Sequence, residues 1–282
     1  MSGTRSPLRT GQVIKFDGKK PALLIAAHGD IGGTARNATL RALAGTVRAR
    51  LADLPVACGV LNGEPSLEGA FAELAGHQVL VYPLFMSGGH YVENALPARL
   101  GLARKGCAGG RDVTILPPLG LDPALPALIA RRVREAAPAN PCSAAGTSVL
   151  VIAHGSATSP QSRLAAETFA GGLRRRLKTG PVRTAYLEEA PFAGDAVAAL
   201  CAHSLAISFF AGEGSHGGQD VPNILAKAGK SFVPVIGPVG ADRQIADLVV
   251  AAVRRELPLD NSSHLTGHAL AEVRFPANSV CH

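Results

Sequence analysis

Tryptophan is missing from the 282 residues, and aromatic side chains make up only 4% of them. Ala, Val, Leu and Ile must therefore fill the interior, and such aliphatic runs suit parallel strands buried on both faces. Cysteine is scarce and unpatterned: Cys58, Cys107, Cys142, Cys201 and Cys281 are odd in number and never stand as CxxC. That usage indicates neither a disulfide framework nor a cysteine zinc site, and fits reduced thiols in a cytoplasmic protein. No run of about 18 apolar residues occurs. Residues 1–20 lack the apolar stretch of a signal peptide, so neither a membrane partner nor export is expected.

Acidic residues are outnumbered, giving a formal charge of +7 and a pI of about 9.5. Apart from Arg174, Arg175 and Arg176, the basic residues are scattered along helix-like segments without interleaved aromatics. This is not the footprint of a nucleic-acid binder. An anionic small molecule suits the charge better.

Hydrophobic residues reach 47%, enough to build substantial cores. The run Val149–Ser156, VLVIAHGS, nearly repeats Leu23–Asp30, LLIAAHGD, with His28 and His154 126 residues apart (154 − 28). His90 in MSGGHYVENALP and His216 in GEGSHGGQDVP share that offset, as do Pro65 and Pro191. The chain reads as an internal duplication of two units of about 125 residues. The expected organisation is a lead-in at 1–20, a first domain at 21–137, a linker PANPCSAAG at 138–146, a second domain at 147–257 and an irregular tail at 258–282.

In the first unit, apolar runs predict strands at Ala22–Ala27, Val56–Leu61, Val79–Phe85 and Val113–Leu116. Helical spacing falls between them, as in Leu40, Leu43, Val47, Leu51 and in Leu67, Phe71, Leu74. Asp122 and Pro123 read as the opening of a further helix. The second unit predicts strands at Val149–Ala153, Val182–Leu187, Leu205–Phe210 and Phe232–Ile236. Its helices are expected at Gln161–Lys178, Gly194–His203, Val221–Ala228 and Asp242–Glu256. Alternating strands and helices predict an α/β fold: two tandem domains, each a parallel sheet flanked by helices.

Ligands of such sheets bind beyond the carboxyl ends of the strands, where His28 and His154 follow first strands and His90 and His216 follow third strands. Imidazole is both a metal ligand and a base near neutral pH. A carboxylate joins them unequally, because Glu188 in VRTAYLEEAP matches Asn62 in VACGVLNGEP. Glu64 and Glu189 stand nearby as substitutes. His154, Glu188 and His216 are thus the candidate metal-binding and proton-accepting set, with His28 and His90 a second metal set lacking the acid.

The order AHGS or AHGD, then LEEAP or LNGEP, then a glycine-flanked histidine before DVP or NALP resembles the class II tetrapyrrole chelatases. Within them it is most similar to the long, duplicated sirohydrochlorin chelatases of the CbiX and SirB type, over about Pro21 to Glu256. The resemblance implies two α/β domains facing each other across a cleft. It implies insertion of Co(II), Fe(II) or sometimes Ni(II) into sirohydrochlorin, in cobalamin or siroheme biosynthesis, with the divalent ion as substrate and without ATP or an organic cofactor. The family's histidines map onto His154 and His216 and its acid onto Glu188, while Asn62 departs from the pattern.

Three other readings compete. A histidine-dependent phosphoryl transferase would want Arg where Ala27 and Ala153 stand, and a serine hydrolase would want Gly at Glu213, two before Ser215. A non-catalytic tetrapyrrole or metal carrier would bind without turnover. His264, His268, Cys281 and His282 in the tail fit no standard metal spacing. Duplication within one chain favours a monomer, since it can replace a homodimer of single units.

Overall fold

The computed structural model describes residues 19–29, 37–102, 107–108, 111–136, 147–177, 180–212 and 215–257. The lead-in up to residue 18, the linker and the tail with its histidines lie outside the described residues.

The first unit runs β1 (Pro21–Ala27), α1 (Ala38–Arg50), β2 (Val56–Val60), α2 (Leu67–Glu73), β3 (Gln78–Pro83), α3 (Leu96–Arg99), β4 (Cys107–Ala108), β5 (Arg111–Ile115) and α4 (Leu125–Ala136). The second runs β6 (Ser148–Ala153), α5 (Gln161–Arg174), β7 (Val182–Tyr186), α6 (Ala193–Ala198), β8 (Ser204–Ser208), α7 (Val221–Lys227), β9 (Val235–Ile236) and α8 (Ile245–Glu256). The sheets have the orders β2-β1-β3-β5-β4 and β7-β6-β8-β9. Every pairing is parallel except that of the short β4 on the edge of β5.

The aliphatic runs became central strands because both of their faces are covered. In β1, Leu23 and Ile25 enter one core while Ala22, Leu24 and Ala26 enter another. In β6, Val149, Val151 and Ala153 face one side and Leu150 and Ile152 the other. This is the period-two alternation of a pleated strand. The inward sets from both sheets belong to one continuous core, together with α1, α4, α5 and α8. Two tandem α/β units therefore share a helical layer, with α2 and α3, and α6 and α7, covering the outer faces.

Small and charged residues close the seam between the units. A Cβ on Gly172 of α5 would lie 2.6 Å from Pro126 Cγ of α4, so only glycine lets these helices approach so closely. Arg132 of α4 grips Asp242 through Nε and Nη2 at 2.6 and 3.1 Å, and Arg255 of α8 lies 3.5 Å from Asp122. Arg50 of α1 meets Asp247 of α8.

Some boundaries differ from the sequence expectation. The last strand shrinks to Val235–Ile236, because Val233 is drawn into a turn that donates to the Lys230 carbonyl and Phe232 is left exposed. The helix expected over Gly194–His203 stops at Ala198, where Ala199 and Leu200 close tighter turns. The helix expected from Gln161 to Lys178 ends at Arg174. The helix expected to open at Asp122 and Pro123 begins at Leu125 instead; Asp122 Oδ1 accepts from the Ala124 N–H at 2.8 Å in the turn before it, and Asp242 does the same for Gln244 ahead of Ile245.

Candidate functional site

Each repeated His-Gly pair sits where a first strand ends, and the glycine is what lets the next strand approach. Gly29 and Gly155 have φ of 100° and 75°, a region that side chains disfavour. A Cβ on Gly29 would lie 2.0 Å from the Asn62 carbonyl oxygen, and one on Gly155 would lie 2.8 Å from Tyr186 Cβ. The close approach is used for hydrogen bonding: the Asn62 and Glu188 N–H groups donate to the carbonyls of His28 and His154, each at 3.0 Å. Position 62 or 188 is thereby fixed beside the histidine of its own unit.

In the second unit this brings Glu188 Oε2 to 3.6 Å from His154 Nδ1. That nitrogen also lies 3.0 Å from the Gly155 carbonyl, an oxygen that can only accept. The contact selects the Nδ1–H tautomer and leaves Nε2 as the ring's electron-pair donor. His28 repeats the contact to Gly29 at 3.2 Å. The His154 and Glu188 side chains are 40% and 55% exposed, so solvent and a ligand can reach them. They line a cavity of about 260 Å³ together with Leu187, Asp220, Asn223, Ile224 and Lys227. Asn223, Ile224 and Lys227, all from α7, were not singled out by the sequence patterns, and Asp220 entered them only as the first residue of DVP.

The substitute carboxylates are otherwise engaged. Glu189 Oε2 accepts from Arg163 Nε at 2.8 Å and from Nη2 at 2.5 Å, and its Oε1 accepts from the Ser156 N–H. The Arg163 guanidinium also lies over the Tyr186 ring at 4.8 Å, pinning the turn that presents Glu188. Glu64 Oε2 accepts from the Ser66 N–H at the start of α2.

His216 lies in the π-helical turn Ser215–Asp220, with its side chain outside the described residues. Its backbone position still corrects the repeat. Ala22 pairs with Val79 and Ser148 with Ser204, so β1 and β6 differ by 126 (148 − 22) but β3 and β8 by 125 (204 − 79). The 125 offset persists on both sides of the histidine loop. Phe85 and Phe210 accept from Gly120 and Gly240, and Pro97 and Pro222 open α3 and α7. One residue is lost between the second and third strands. His216 thus corresponds to Tyr91, and His90 to Ser215.

The first unit has a different surface at this rim. Tyr91 meets the half-buried His28 edge-on, with ring centroids 4.8 Å apart and planes at 88°, and meets the exposed His90 at 5.9 Å. Arg99, the counterpart of cavity-lining Ile224, donates to the Leu61 carbonyl at 2.8 Å and pairs with Glu68, whose carboxyl it holds below the usual range. Among the described residues no three His, Cys, Asp or Glu side chains stand close enough together to hold a metal ion. No helix among them is long and apolar enough to cross a membrane.

The comparisons with known proteins agree with this duplicated architecture. The CbiX family model matches twice, at residues 22–136 and 148–256. A structure described as CbiX, the terminal enzyme for biosynthesis of siroheme in denitrifying bacteria, is 33% identical with a TM-score of 0.70, covering 84% of this chain and 100% of that one. DR2241 from Deinococcus radiodurans, a multi-domain protein with structural similarity to chelatases, is 28% identical with a TM-score of 0.65, over 83% of this chain and 54% of that one. SirB from Bacillus subtilis with Fe3+ shares the fold at 16% identity and a TM-score of 0.67, over 84% and 95% of the two chains. No curated protein matches the chain. With both units matched, each carrying its own sheet and His-Gly rim, the chain belongs to the CbiX family of chelatases.

Proposed function

We propose that this protein inserts a divalent metal ion into sirohydrochlorin, and that His154, Glu188 and His216 perform the step. The observation that carries the reading is the pairing of His154 and Glu188 at the mouth of a solvent-open cavity, fixed by the bond from the Glu188 N–H to the His154 carbonyl. The backbone register supports His216 as the third member, since its counterpart Tyr91 packs against His28.

The chemistry asks for these groups. Metal insertion replaces two pyrrole N–H protons with one M²⁺, so a base must take the protons while a weak ligand holds the ion. An imidazole Nε2 can do either, and a carboxylate 3.6 Å away stabilises the imidazolium when a proton is taken. Two or three ligands on an open rim release the ion more readily than a closed four-ligand cage. Lys227 on the cavity wall supplies a cation for the carboxylates at the edge of the macrocycle.

We assign the step to the second unit. In the first, Asn62 and Tyr91 stand where Glu188 and His216 would be, and Arg99, ion-paired with Glu68, stands where Ile224 lines the cavity. His28 and His90 then have no carboxylate partner at the corresponding position. Cobalt, iron and nickel all accept imidazole and carboxylate, so supply of the ion sets which is used. The ion is the substrate, and the assigned residues require neither ATP nor an organic cofactor. We place the protein in the cytoplasm, acting as a monomer.

The test is an anaerobic absorbance assay with sirohydrochlorin and Co(II) or Fe(II), measured against the spontaneous rate. Acceleration that His216→Ala abolishes and His90→Ala preserves supports the assignment. Loss through His90→Ala alone reverses it. Binding of the macrocycle without turnover by any metal indicates a carrier.

A further inference from the structure

We propose that Tyr91 is a substrate-positioning residue, whose exposed ring forms the aromatic seat for one face of the flat macrocycle on the unit that does not carry the metal. The proposal rests on the chelatase reading above and adds a role for the first unit.

Tyr91 is 44% exposed, yet its ring is held on several sides. It stacks on the buried Phe85, with centroids 5.9 Å apart and planes inclined by 17°, while His28 and His90 approach it edge-on. A ring fixed in advance loses little freedom when a flat ligand settles on it. Aromatic groups held in stacked or edge-on geometry also contribute attraction beyond the apolar area they cover.

The surroundings favour an apolar face over a metal ion. Leu121, 37% exposed, borders the same glycine loop, 3.6 Å from where a Cβ on Gly88 would lie. A neutral phenol at the position of His216 offers a divalent ion a far weaker ligand than imidazole, and Asn62 offers no charge. The glycine loop also reaches the second unit, since a Cβ on Gly89 would meet Gln161 Cβ at 3.4 Å. Gln161 begins the helix that follows the His154 loop, so the Tyr91 rim adjoins the metal-handling rim. A macrocycle held by its apolar face on one rim presents its pyrrole nitrogens to the base on the other.

The experiment compares wild type with Tyr91→Phe, Tyr91→Ala and Tyr91→Leu, the last keeping Phe85 covered without a flat ring. Metal-free sirohydrochlorin is titrated anaerobically by its own fluorescence, Co(II) alone is titrated by equilibrium dialysis, and insertion is measured at steady state. Tyr91→Phe should behave as wild type. Tyr91→Ala and Tyr91→Leu should raise Kd and KM for the macrocycle about tenfold, with Co(II) binding and kcat unchanged. Unchanged macrocycle affinity in the folded Leu variant overturns the proposal, as does loss of Co(II) binding. Wild type that binds no macrocycle overturns the chelatase reading together with it, an outcome distinct from a Tyr91 variant that binds normally.

Discussion

Replacing Gly155 with Ala should cost both stability and turnover, whereas Gly29→Ala should cost stability and leave kcat intact. At Gly155 the φ of 75° is left-handed, which disfavours an alanine by about 1–2 kcal/mol. Its Cβ would also lie 2.8 Å from Tyr186 Cβ and 2.9 Å from Glu189 Cγ, and Glu189 cannot swing aside while Arg163 and the Ser156 amide hold its carboxylate. Overpacking of this kind costs about 1–3 kcal/mol more. The sum, about 2–5 kcal/mol, should lower Tm by several degrees, at about 2 °C or more per kcal/mol for a chain of this size. At Gly29 the obstacle is a backbone oxygen at 2.0 Å, so the loss there should be at least as large. The functional outcomes differ because relief of the Gly155 clash moves β7 away from β6 and carries Glu188 off His154. Calorimetry gives the two Tm values, and the anaerobic insertion assay is run below both. The kcat should fall at least tenfold in Gly155→Ala and stay near wild type in Gly29→Ala, where a displaced His28 disturbs the Tyr91 seat and raises KM instead. Unchanged Tm in both would refute the close-approach argument, and equal loss of kcat in both would refute the assignment of catalysis to the second unit.

The remaining predictions test other contacts. Glu188→Gln should slow insertion about 100-fold, the scale of general-base assistance, with the melting temperature unchanged; a rate within threefold of wild type would remove Glu188 from the step. Gly172→Ala should destabilise the chain by about 1–2 kcal/mol in denaturant, because the clash with Pro126 exceeds the gain in helix propensity; a stabilised variant would show that the helices separate freely. Burial is the largest single influence on Asp242 and raises its pKa, but the Arg132 hydrogen bonds, the Gln244 N–H and the charges of Arg132 and Arg131 together outweigh it, so its folded pKa lies below the usual aspartate range. A depressed carboxylate pKa contributes stability that is present above the unfolded value of about 3.9 and is lost as pH falls through the folded value. Wild type should therefore lose stability over that acidic window more steeply than Asp242→Asn, as read by urea unfolding at a series of pH values; parallel curves would show that the pair across the seam adds nothing.

The duplication, the α/β alternation and the rim placement of His28 and His154 were legible in the sequence because they are local. An aliphatic run with both faces buried, a histidine at its end and a glycine after it leave their mark within eight residues. The place of Glu188 beside His154 was legible for the same reason, since β2 and β7 each end five residues before a proline. That His90 and His216 are not equivalent was not legible, because two similar glycine-rich loops mask a one-residue deletion upstream of them that the strand pairing exposes. Ser148 against Ser204 and Ala22 against Val79 fix the register, and with it Tyr91 takes the place of His216. Nothing in the sequence singles out Arg99; only its bond to the Leu61 carbonyl shows how the first rim differs from the second. The shared core likewise needed the tertiary structure, because helical spacing marks an apolar face on α1, α4, α5 and α8 without naming what covers it. Periodicity reports which side of an element avoids water, while the partner of that side is chosen by residues far away in the chain.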